Sequence, residues 1–167
     1  MRNIGKRLAA AVAISVMALA GGIAAAPASA ATTLTCDLNV QNPHGSVHYT
    51  GTINVVAVTT CPVAMTSIFI EVQLERQAPT QFVWPGKEET TLGKKTAQGN
   101  AASPCSAGPG TFVGWARTRI VPPAGYVLTG SGTIAKFGTS LGVACGLSKS
   151  ITAIEAEPVH ITFEKVS

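Results

Sequence analysis

The sequence predicts an all-β protein: an antiparallel β-sandwich, Ig-like or similar, forming a single domain behind an N-terminal signal peptide. Three observations carry that expectation. Val-, Thr- and Ile-rich runs bounded by Gly and Pro recur along the chain, as strands and turns require. One of them, SIFIEVQLE (67–75), alternates apolar and polar positions with a period of two. No stretch after the first thirty residues carries the apolar stripe of an amphipathic helix.

The opening MRNIGKR places Arg2, Lys6 and Arg7 ahead of an uncharged apolar run from Leu8 to Ala26. Pro27 breaks that run, and Ala28-Ser29-Ala30 supplies the small residues of a cleavage site. Basic, apolar and small regions in that order are a secretory signal peptide, 1–30, with cleavage expected between Ala30 and Ala31. A retained anchor is the rival, because the run is nearly long enough to span a bilayer. Gly21-Gly22 and the immediate cleavage site favour removal, leaving no stable membrane anchor. Cys36, in TTLTC, lacks the small preceding residue of a lipid-modified cysteine.

Removal changes the charge. The full chain carries +4, but three of its twelve basic residues lie in the leader. Residues 31–167 keep nine basic against eight acidic side chains, a net +1. A balance so near zero gives no warrant for nucleic-acid binding. Cys36, Cys61, Cys105 and Cys145 remain. In an exported chain an even count reads as two disulfides. Of the three connectivities, Cys36–Cys61 with Cys105–Cys145 is favoured, since each then clips one end of the chain to a nearby strand. The four are scattered and form no C-x-x-C pair, so zinc is not expected.

The strands follow in order. LTCDLNV (34–40) alternates; SVHYTGTINVVAVTT (46–60) is a longer β-rich run with Gly51 as a bulge or bend. In SIFIEVQLE, Ile68, Ile70, Val72 and Leu74 share the buried face, while Phe69, Glu71, Gln73 and Glu75 take the wet one. Residues 76–110, rich in Pro, Gly, Thr and Lys, read as loops around one or two short strands. TFVGWARTRIV (111–121) resumes β structure, and PPAG turns the chain because proline gives no ladder donor. YVLTGSGTIAKF (126–137) reads as the returning strand. SITAIEAE (150–157) is ambiguous between strand and helix, and PVHITFEKV alternates Val159, Ile161 and Phe163 with His160, Thr162 and Glu164. Seven to nine short strands imply the sandwich.

The layout of GWARTRIVPPAGYVLTGSG, a Trp/Arg strand, a Pro-Pro-x-Gly-Tyr turn and a Gly/Thr strand flanked by cysteines, resembles small secreted actinobacterial proteins with two disulfides. Most of these have no assigned activity, so the resemblance implies export and a β-rich plan and brings no catalytic residues.

Several constellations invite a chemical reading. Gly138, Ser140 and Gly142 stand in the G-x-S-x-G spacing of a nucleophile elbow, followed by Glu155, Glu157 and His160. An elbow needs a strand, a strained turn and a helix, and LGVACGLSKS is too rich in Gly and β-formers to be that helix. His44 and His48 lie four apart, about 13 Å in an extended strand, too far to share a metal without a bend at Gly45. Trp115, Arg117 and Arg119 alternate along one strand and point the same way, as a face for an anionic or sugar ligand would. The bland alternative has Trp115 capping the core edge while the arginines pair with Glu71 or Glu75. Trp84, in FVWPGKEE, is a recognition tip or a loop anchor. SPCSAGPG offers a disulfide-held inhibitory loop. The expectation is therefore a secreted, extracellular, non-catalytic binding or structural module with no cofactor or metal. Its candidate binding residues are Trp115, Arg117, Arg119 and Trp84, and its partner is an extracellular one of unknown kind. The alternatives are a protease inhibitor or a small serine hydrolase using Ser140.

Overall fold

The computed structural model describes residues 33–46, 48–145 and 155–166. The chain divides after Ala30 into two units, and all described residues lie in the second. The expected signal peptide and positions 150–154 of the ambiguous segment lie outside them; 155–158 are irregular.

The described residues form ten strands and no α-helix: β1 Thr33–Val40, β2 His44–Gly45, β3 Thr52–Ala78, β4 Phe82–Pro85, β5 Glu89–Pro104, β6 Gly110–Val121, β7 Tyr126–Leu128, β8 Thr133–Phe137, β9 Leu141–Val143 and β10 Val159–Lys165. A 3₁₀ turn, Cys105–Ala107, joins β5 to β6. The strands make one antiparallel sheet in the order β7-β10-β1-β3-β6-β8, with β2, β4 and β5 attached to β3 and β9 to β6. That sheet curls into a half-barrel.

Its spine is β3, a 27-residue strand where two strands, 46–60 and 67–75, were expected. Residues 48–51 of that first run are instead an exposed turn, with Gly51 at φ +84°. The first half of β3 lies between β1 and the end of β5, the second between β6 and the start of β5 with β4. Between the halves, the register against β5 shifts from Thr60 to Met65. The shift spans Pro62, which has no N–H to offer the ladder, so the strand continues through an irregularity rather than ending.

The two halves enclose one core. A Cβ on Gly114 of β6 would lie 2.4 Å from Val55 Cγ2 and 3.0 Å from Val40 Cγ1. One on Gly99 of β5 would lie 2.8 Å from Val72 Cγ2. Thus β6, hydrogen-bonded to the second half of β3, packs face-on against residues of β1 and of the first half. Phe112, Phe163, Leu38, Ile53, Met65, Ile68, Ile70 and Leu74 fill the space between. The inward sets of 67–75 and of β10 (Ile161 and Phe163) follow the period-two reading.

Two expectations are corrected. Residues 76–110 contain a 16-residue strand, β5, paired along most of its length with β3. Its inward positions are Ala97, Gly99, Ala101 and Ser103, all buried. The alternation is real but written in small residues, because the space opposite Val72 and Ile70 admits no more. The segment 126–137 is two strands: β7 joins β10 and β8 returns along β6, parted by a turn with Gly130 at φ +100°. Disulfides join Cys36 to Cys61, holding β1 to the middle of β3, and Cys105 to Cys145, tying the 3₁₀ turn to the chain just past β9. This is the pairing the spacing favoured.

Candidate ligand-binding face

On β6 the core-facing residues are Gly114, Ala116, Thr118 and Ile120. Alternation sends Trp115, Arg117 and Arg119 to the opposite, outer face. Register with β3 and β8 arranges that face in three rows. Phe137, Trp115 and Gln73 form the first; Ala135, Arg117 and Glu71 the second; Thr133, Arg119 and Phe69 the third.

The second row is internally neutralised. Arg117 Nη2 donates to Glu71 Oε2 at 2.6 Å, and Gln73 Nε2 donates to Glu71 Oε1 at 3.1 Å. The Glu71 side chain is only 15% exposed, so both its oxygens are held away from most solvent. Arg117 also reaches over the ring of half-buried Trp115, 6.0 Å from its centroid. The third row differs. The guanidinium of exposed Arg119 lies 5.2 Å from the Phe69 ring centroid and has no carboxylate partner among the described residues. Phe69, Arg117, Arg119 and Thr133 line a depression of about 110 Å³. Ala135, exposed and small, leaves the trough open towards Phe137, which is 57% exposed.

The expectation that Arg117 pairs with Glu71 therefore holds together with the shared face, whereas Arg119 pairs with neither Glu71 nor Glu75. Trp84 does not join this surface. It sits opposite Leu74 and so faces the core side of the sheet. Its ring tilts against Phe82 at 4.6 Å and Phe112 at 6.1 Å between centroids, with the Arg76 guanidinium 5.7 Å away. It is an anchor for β4, not a tip, because the strand pairing that carries it leaves its ring no other side. Sequence reasoning missed Phe137, Ala135 and Thr133, although their alternation in TIAKF was available. It placed Phe69 on the wet face without asking what an aromatic does there.

Ser140 lies in the bend between β8 and β9, a strand, not a helix. Its Oγ donates to Gln77 Oε1 at 2.6 Å. His160 Nδ1 is 2.7 Å from Asp37 Oδ1, and both side chains are about half exposed. The two would-be triad members thus have separate partners. His44 Nδ1 lies 2.9 Å from the Asn42 carbonyl, while His48 sits in the exposed turn. Among the described residues no three His, Cys, Asp or Glu side chains converge as a metal site requires, and no helix is long and apolar enough to cross a membrane.

Comparison of the chain with protein-family models, curated proteins and solved structures finds no match.

Proposed function

We propose that the chain is exported, trimmed between Ala30 and Ala31, and acts outside the cell as a non-catalytic binding module whose two sheet halves serve as the layers of a β-sandwich. The reading of export draws support from the two disulfides, which persist in oxidising compartments. The observation that carries the binding role is the outer face of β6. There exposed Phe137 and half-buried Trp115 stand one row removed from the Arg119 guanidinium, which no acid of the described residues neutralises.

The inhibitor alternative rests on SPCSAGPG, which folds as a 3₁₀ turn whose Ala107 carbonyl accepts from Arg76 Nη1. A protease cleft takes extended backbone, so this turn offers it little. The hydrolase alternative draws no support from Ser140, whose Oγ donates to Gln77 and contacts no histidine or acid among the described residues.

Immobilised protein and a Trp115→Ala, Arg119→Ala double variant would be exposed to polymers from the medium of the exporting host. Material of any chemistry retained by the natural face and lost from the variant is the expected result. Equal retention by both, or none by either, removes the reading.

A further inference from the structure

The size and charge of the Arg119 depression narrow the kind of ligand it takes. Enclosed small-molecule pockets run to roughly 300–1,000 Å³, and this one holds about 110 Å³. It can seat one chemical group of an extended ligand and not a whole small molecule. One guanidinium, Arg119, has no carboxylate partner among the described residues, while its neighbour Arg117 is already answered by Glu71. A polyphosphate chain, whose binding rests on several cations at once, finds only one here.

At the centre of the face β6 is hydrogen-bonded to β3 on one side and β8 on the other, so β6 itself has no edge open to an added strand. On β6 recognition comes from side chains. What they offer is exposed Phe137 opposite half-buried Trp115, whose ring Arg117 overlies, and, two residues past Arg117 on the same strand, a planar fork of donors at Arg119 with Thr133 opposite it. An arginine fork matches a carboxylate in bidentate fashion.

We infer that this face binds an acidic polysaccharide, one sugar ring lying on Trp115 and Phe137 and the carboxylate of a neighbouring uronic acid on Arg119. The inference rests on the reading of the outer face as the ligand face. Arg117, held by Glu71 over Trp115, is a positioning residue between the two subsites.

The chain has two tryptophans, so Trp84→Phe leaves Trp115 as the sole indole reporter. Titration with hexagalacturonate is expected to give a saturable change in Trp115 emission. Calorimetry on the natural chain is expected to give the same affinity, so the result stands even if Trp84→Phe folds poorly. The methyl-esterified hexamer should bind about tenfold more weakly or worse, as should Arg119→Ala with the acid. Arg119→Lys should recover only part of the loss, and inorganic phosphate at equal concentration should not compete.

Equal binding of the ester would overturn the acidic specificity and keep the face. Full competition by phosphate would reduce the site to a bare anion site. Concentration-dependent dimers abolished by Phe137→Asp would give the face to a second copy. If no hexamer binds while the double variant still loses material from the medium, the glycan inference alone falls. If both fail, so does the binding face.

Discussion

Lys136 points inward from β8. It sits opposite Ala116, is 9% exposed, and its Nζ donates to the Ala156 carbonyl at 2.9 Å. Burial pushes its pKa below the ordinary 10.5, partly offset by Glu157 and Glu155. A lysine whose folded pKa is lowered binds its proton less readily than in the unfolded chain. The penalty is therefore fully present at neutral pH and is relieved as pH rises through the folded pKa towards 10.5. The melting temperature of the natural chain, taken relative to Lys136→Met, should rise across that alkaline window; a flat difference would show that the amine is well solvated. An inward charge also suits an edge strand, because it discourages pairing with another chain. Gly114 makes the opposite demand. Val55 and Val40 stand where its Cβ would go, so Gly114→Ala should cost about 1–3 kcal/mol in denaturant unfolding.

At the scale of elements, β3 depends on what holds its middle. Cys61 follows Thr60, where the register breaks, and its disulfide to Cys36 closes a separation of 25 residues. Replacing both cysteines by serine should lower stability by roughly 3 kcal/mol in the loop-entropy account. Urea titration would read this as a lower midpoint, with a slope that does not fall if β1 still docks. The strands legible in the sequence were those whose inward positions are large and apolar. Ile68 to Leu74 and Val159 to Phe163 announced themselves. The strand β5 did not, because Ala97, Gly99 and Ala101 carry no hydrophobic signal, and its place is set by the bulk of Val72 across the core. The candidate site was half legible. Alternation put Trp115, Arg117 and Arg119 on one face, but cross-strand register alone brings Phe137, Thr133 and Phe69 beside them. Trp84 misled because a Pro/Gly neighbourhood looks like a loop, while pairing with Leu74 makes it a strand residue.

Taken whole, the molecule is built around a spine shared by both halves of its sheet, with β1 and β10 side by side. Thr33 lies opposite Glu164, so the described chain departs from the sheet next to where it enters. The unit can in principle be re-cut. A short linker from Val166 to Thr33, with a new break in the exposed turn at Tyr49-Thr50, would leave β3, both disulfides and the Trp115 face continuous. Such a circular permutant should melt no more than about 5 °C below the natural chain. The same adjacency makes the domain a natural insert. Spliced through its paired ends into a surface loop of a host protein, it would ride there like a blade on a handle, its own sheet and disulfides intact.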